Sequence, residues 1–220
     1  MEVIKQNWID AWNHKAFRMN FIFGLVLLTI AMIFTSFFFN HIQDNKEGVV
    51  LNDWLLQRLP AMDVSAYIVI LMFSAACLFA FRGIPNPNML ITFLFAMILQ
   101  LTLRMITISI TGFMAPVGLI VLRDPMGSML YQNRFITRDL FYSGHTALLC
   151  LFYLCSFKKP DRFYLLFVAV SVAILLLIQH VHYTLDVVCA PIFAFACFWT
   201  AKKFIGYQNA YLDGLESHLA

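Results

Sequence analysis

Residues 88–112 read NMLITFLFAMILQLTLRMITISITG, a long apolar run broken by one charge, Arg104. As a helix this run is roughly 37 Å long, enough to cross the ~30 Å hydrocarbon core of a bilayer. In hydrocarbon no water is present to satisfy a lone strand's backbone, so the run must be helical. Five further apolar runs flank it, at approximately 19–39, 64–81, 144–157, 163–180 and 184–201. Pro85 and Pro87 separate the second run from the third, and Lys158-Lys159-Pro160-Asp161-Arg162 separates the fourth from the fifth. The fourth run is short, and Ser143-Gly144 is placed to open it from within a loop.

The whole composition agrees with this reading. Of the 220 residues 61% are hydrophobic and 12% charged, against roughly 25% charged in soluble domains. The expected fold is all-α: a polytopic membrane protein, a six-transmembrane-helix bundle. Ahead of it, Ile4, Trp8, Ala11 and Trp12 repeat at helical spacing beside Lys5, Lys15 and Arg18. That pattern predicts an N-terminal amphipathic helix at the interface, tryptophans at headgroup level; a partner-binding helix is the alternative. The domain expectation is an interfacial helix over 1–18, a six-helix catalytic domain over 19–205 and a cytoplasmic tail over 206–220. No cleavable signal peptide is expected, since the first 20 residues are polar and the first apolar run is too long for one.

Charge sets the orientation. Lys5, Lys15, Arg18, Arg82, Lys158, Lys159, Arg162, Lys202 and Lys203 fall on one side of the six runs; Lys46, Arg58, Arg123, Arg134 and Arg138 fall on the other. The richer side is expected to be cytoplasmic, with both termini there and the loop 113–143 and the turn 181–183 on the extracytoplasmic face. The net charge of +3 does not argue for nucleic acid. The cysteines (Cys77, Cys150, Cys155, Cys189, Cys197) lie in apolar runs without metal-ligand spacing, so neither a disulfide nor a metal site is expected.

Ionisable groups at membrane depth are costly and need a reason. Here they are Arg104, His145, His180, His182 and Asp186. The topology brings His145, at the start of the fourth run, to the same face as His182 and Asp186, at the start of the sixth. On a helix, residues 182 and 186 share a face. A carboxylate there fixes the imidazole tautomer and leaves the other nitrogen basic, as a nucleophile or base requires; a buried pair that only locks helices together is the other reading. In Tyr142-Ser143-Gly144-His145-Thr146, Gly144 admits close backbone approach and the amides opening the run are free donors for an anion. His145 beside them can give a proton to a leaving oxygen. Ser143 is read as an N-cap; a serine nucleophile is the alternative, disfavoured because adjacent side chains seldom form a Ser–His dyad. Arg104 offers a fork matching a phosphate, or a structural partner for Asp186 or Asp63. Arg123, Arg134 and Arg138 are placed to draw in an anionic headgroup, or are simply solvated.

Ser143-Gly144-His145-Thr146 and His182-Tyr183-Thr184-Leu185-Asp186-Val187 closely resemble the two catalytic motifs of the sphingomyelin synthase-like family, within the type 2 phosphatidic acid phosphatase superfamily. Asp139 resembles the acid of that family's Gly-Asp-x-x-x-Ser-Gly-His segment. Leu59-Pro60-Ala61-Met62-Asp63 is similar to its proline-rich first motif, and the stretch from Arg104-Met105-Ile106-Thr107 to Pro116 to the region after its third helix. The resemblance runs from about residue 50 to 190. It implies His182 as nucleophile, Asp186 as its orienting acid, His145 as proton-transfer partner, and no metal or other cofactor. The residues expected to contact substrate are Tyr142, Ser143, Gly144, Asp139, Arg104 and Arg138. The superfamily's phosphatases carry an arginine six residues before the nucleophilic histidine, where this chain has Leu176; the synthases carry one fourteen residues after it, where this chain has Ala196. A fused N-terminal domain found in some members is not expected here. The implied activity is transfer of a phospho-headgroup from a phospholipid donor to a lipid alcohol such as ceramide or diacylglycerol through a phosphohistidine. That intermediate is expected near the start of the sixth run, where the helix dipole favours negative charge. The alternatives are a lipid phosphate phosphatase and, from another class, a proton-coupled transporter; a purely structural membrane protein leaves the ionisable set unexplained.

Overall fold

The third apolar run forms a helix from Pro87 to Thr111, started by a proline whose missing N–H costs nothing in the first turn and ended by Gly112 in the left-handed region at φ 62°. The structure, a computed structural model, describes residues 2–45, 48–124, 137 and 140–219, the side chains of 45 and 207–219 excepted. Among the described residues seven α-helices follow one another: α1 (Glu2–Asn13), α2 (Lys15–Asn45), α3 (Ser65–Gly83), α4 (Pro87–Thr111), α5 (Gly144–Cys155), α6 (Lys159–Ile178) and α7 (Thr184–Leu219). Among the described residues there is no β-strand; Val49 and Phe113 make one isolated bridge.

Five helices, α2, α3, α4, α6 and α7, contain stretches long and apolar enough to cross a membrane. Their outward faces carry bare apolar side chains: Phe23, Ile30 and Phe37 on α2, Phe163 and Phe167 on α6, Ile192 and Phe195 on α7 are each more than half exposed. A continuous apolar exterior of this kind is a surface for lipid, and the protein is an integral membrane protein.

The fourth expected span is different. α5 has 12 residues, about 18 Å of rise, well short of the hydrocarbon core. It is a core helix, packed against α4, α6 and α7, with Thr146, Ala147, Leu149, Leu151, Phe152 and Cys155 buried. The irregular chain before it is buried as well, Leu140 at 2%, Tyr142 and Ser143 at 0%. Non-helical backbone is tolerated at membrane depth where protein encloses it.

Small residues decide how closely the helices approach. Ala96 on α4, Ala147 on α5, and Ala190, Ala194 and Ala201 on α7 are all fully buried. Without a hydrophobic force between helices in lipid, such small side chains let backbones meet and maximise van der Waals contact. A second cluster joins α3, α5 and α6 through Ala75, Leu149, Leu165, Val168, Val172 and Leu176.

The N-terminal helix is shorter than expected. It breaks at His14, and α2 then runs unbroken from Lys15. Trp8 donates from Nε1 to the Ile84 carbonyl (2.7 Å) and Asn7 from Nδ2 to the Pro85 carbonyl (2.8 Å). These bonds fasten α1 to the α3–α4 turn, at the end of the bundle that carries Arg82. At the other extremity, the expected boundary at 205/206 falls inside the continuous α7.

The loops at the opposite end interlock. The Val49 amide donates to the Gly112 carbonyl and the Met114 amide to Val49; Met62 donates to Ile178, and Ile120 to Gln179. The segments 48–63, 112–124 and 178–183 therefore form one cap over this end of the bundle.

Candidate active site

His182 lies in the turn just before α7, not on the helix, so the 182/186 pairing is a helix-start arrangement rather than the shared helical face expected. Asp186 is the third residue of α7 and turns back toward the chain preceding it. Its Oδ2 accepts from the Tyr183 amide (3.1 Å) and from His182 Nδ1 (3.2 Å). The first bond is one half of a capping box; the second orients the ring. A carboxylate only accepts, so Nδ1 carries the proton and Nε2 is left with a free lone pair. His182 is 4% exposed and Asp186 0%. The second carboxylate oxygen, Oδ1, is buried without a partner among the described residues, where the pair is held by a single oxygen.

At the start of α7, near which the phosphohistidine is expected, the amides are already taken by protein. The Thr184 amide donates to Asp53 Oδ2 (2.7 Å) and its hydroxyl to Asp53 Oδ1 (3.0 Å), while the Tyr183 amide is taken by Asp186. Two carboxylates already answer the dipole there. The start of α5 is open instead: among the described residues, the Gly144 and His145 amides have no partner.

Ser143 is the N-cap of α5. Its Oγ accepts from the Thr146 amide (3.4 Å) and hydroxyl (3.1 Å), and the side chain is fully buried. Its own amide donates to the Asp186 carbonyl (3.0 Å), which binds the two histidine motifs together. Tyr142, also fully buried, stacks on Phe193 at 4.4 Å and donates to the Gln100 carbonyl (3.2 Å). Both residues are placed to support the site from behind. Arg104 donates from Nε to the Tyr142 carbonyl (3.2 Å) and lies against Gly144, where an added Cβ would collide with the guanidinium. The two acids that the sequence offers Arg104 have their own tasks: Asp63 accepts from the Ser65 amide and hydroxyl at the start of α3, and Asp186 faces His182. Asp139 and Arg138 lie outside the described residues.

His145 meets a partner the sequence reading missed. Its Nε2 lies 3.0 Å from Asp124 Oδ2, with side chains 24% and 13% exposed. His180, at φ 55°, places Nδ1 2.9 Å from the Val117 carbonyl and Nε2 3.1 Å from that of Leu59, tying two loops to the turn that carries His182. Asp53 and Gln179 are further supports without a sequence signal: Asp53 accepts from Thr184 at the start of α7, and Gln179 is the C-cap of α6. Leu176 is fully buried in the α3–α5–α6 core, so no cation occupies that position. Among the described residues no three of His, Cys, Asp or Glu are grouped to hold a metal, and all five cysteines are free.

Residues 138–203 match the PAP2 superfamily C-terminal family model. The PAP2 match spans α5, α6 and the membrane part of α7, and so contains both histidine motifs. No curated protein matches the chain. Members of the PAP2 superfamily are phosphatases or phosphotransferases acting on lipid phosphates, which supports an enzyme of lipid phosphate chemistry.

Proposed function

We propose that the protein is a lipid headgroup phosphotransferase of the sphingomyelin synthase-like kind, using His182, Asp186 and His145. The observation that carries this reading is the joined pair of motifs: an Asp186-oriented His182 with Nε2 free, bonded through Ser143 to the chain that presents His145. The donor phosphate rests on the Gly144 and His145 amides, with the Arg104 guanidinium behind Gly144. His182 Nε2 attacks phosphorus, the P–O bond to the donor lipid breaks, and His145 protonates the departing alkoxide. His145 then takes the proton of an acceptor lipid hydroxyl, whose oxygen attacks the phosphohistidine and frees His182. Asp186 keeps the ring aimed and stabilises its positive charge.

Leu176, in place of the phosphatases' arginine, favours the synthase branch. The phosphatase reading uses the same groups with water as acceptor; the partial exposure of His145 is the observation that favours it. The chain's charge distribution supports cytoplasmic termini and a site on the extracytoplasmic face, at the capped end of the bundle. Residues 1–18 serve as the interfacial element and 19–205 as the catalytic domain.

The test is purified protein in lipid nanodiscs with a phospholipid labelled in its phosphate. Label recovered on a second lipid supports headgroup transfer; label released as inorganic phosphate assigns a phosphatase; label that stays on the donor across a panel of headgroups overturns both.

A further inference from the structure

We infer that Asp124 is the positioning residue of His145, so that the proton-transferring half of the site is a second His–Asp dyad built partly from a loop outside the matched segment. The role of His145 in this inference rests on the phosphotransfer reading above. The dyad itself rests on geometry: Asp124 Oδ2 stands 3.0 Å from His145 Nε2.

Asp124 is held in place by the anchors of the segment 117–123 that precedes it. His180 Nδ1 lies 2.9 Å from the Val117 carbonyl. The Ile120 amide donates to the Gln179 carbonyl (3.1 Å), and Gln179 Nε2 donates back to the Val121 carbonyl (3.2 Å). The Arg123 amide donates to Ser65 Oγ (3.3 Å). Gln179 is 0% and Ser65 5% exposed, so these anchors are themselves fixed in the core.

Since a carboxylate only accepts, Nε2 of His145 carries a hydrogen and Nδ1 is the nitrogen that exchanges protons with the reacting oxygens. Nδ1 has no partner among the described residues. The two dyads are thus of opposite sense: His182 is held at Nδ1 and acts at Nε2, His145 is held at Nε2 and acts at Nδ1. As the donor P–O bond breaks, protonated His145 gives its Nδ1 proton to the alkoxide while Nε2 keeps its hydrogen, donated to Asp124. The acceptor's hydroxyl proton then returns to Nδ1. Asp124 remains ionised throughout.

The test uses the full chain in nanodiscs, with Asp124→Ala, His145→Ala and the double variant. Partners that orient a catalytic ligand are worth about 10–10² in activity. Asp124→Ala should lower kcat by about that factor with KM within about twofold, recover on a nitrophenyl phosphodiester as His145→Ala does, and add nothing to His145→Ala, the signature of two residues acting as one unit. Losses that multiply in the double variant would overturn the dyad, as would a lower KM in Asp124→Ala, which would mean the carboxylate only fills the donor's place. A readout independent of turnover is the hydrogen-bonded Nε2–H proton of His145 in ¹⁵N-histidine-labelled protein. It should be present in the wild type, lost in Asp124→Ala and kept in His182→Ala; its absence from the wild type overturns the dyad. A dyad signal that is intact while His182→Ala remains fully active would sink the phosphotransfer reading and leave the dyad standing.

Discussion

The amide of Ser143 donates to the carbonyl of Asp186 across 3.0 Å. Residues far apart in the chain are thereby joined at the backbone, and the register between the two histidines is set by how closely α5 and α7 pack. That closeness depends on Ala147, Ala190 and Ala194, all fully buried. Ala194→Leu should therefore cost about 1–3 kcal/mol by overpacking and lower turnover more than about tenfold, although no reacting atom is near it. Thermal unfolding in detergent and kcat on the same samples check this; wild-type kcat in a destabilised variant would show that helix spacing does not set the site.

The two histidines should respond differently to the leaving group. A nitrophenyl phosphodiester departs without protonation, so the ~10²–10⁴-fold due to acid catalysis shrinks. His145→Ala should be partly rescued by that donor, and His182→Ala should lose turnover and covalent labelling with every donor. Equal rescue of both would mean their roles are exchanged or shared.

Gly144→Ala should act through Arg104. The new methyl meets the guanidinium, which must move, and α5's opening turn with it. Expected are a loss of about 1–3 kcal/mol and a rise in KM for the phospholipid donor. Steady-state kinetics with unchanged KM would place Arg104 outside phosphate binding.

Asp53 makes acid stability testable. Its burial opposes ionisation, but hydrogen bonds from the Thr184 amide, the Leu56 amide, the Thr184 hydroxyl and the Leu55 amide outweigh that and hold its carboxyl below the ordinary value of 3.8. A group depressed in the folded state stabilises above its unfolded value, and the contribution is lost as pH falls through the folded one. Wild type should be more stable than Asp53→Asn from neutral pH down to about pH 4, with the gap closing only in stronger acid. Melting curves across that range decide it, and a gap that widens on acidification would contradict the assignment.

Asp186→Asn should keep the fold, because the amide oxygen can still accept from Tyr183, yet misorient His182 and cost about 10⁴ in kcat. Circular dichroism beside kinetics separates the two effects.

Much of this was legible because hydrocarbon leaves so few choices. A run such as 88–112 can only be a helix, and the runs' parity alone brings His145, His182 and Asp186 to one end. What escaped was carried by irregular backbone. The 182/186 spacing suggests one helical face, but Asp53 and Asp186 cap α7 at Thr184 and Tyr183, which starts the helix after His182. Asp124 gives no periodic signal; its place beside His145 follows from the anchors of a loop to Gln179 and Ser65. The shortness of α5 was visible in 144–157, but its enclosure by α4, α6 and α7 depends on alanines that look like any others in an apolar run.

Leu185 and Val188, either side of the fully buried Asp186, are 45% and 60% exposed. A single helix therefore separates the carboxylate from the acyl chains of the surrounding lipid. Molecules that reach His182 past this wall are already dissolved in the bilayer, and the quantity that governs their encounter is a surface density, not a bulk molarity. Rates should then follow the mole fraction of donor in the lipid phase: adding inert lipid or detergent at constant total donor should slow turnover, while diluting intact vesicles with buffer should leave the rate per molecule unchanged.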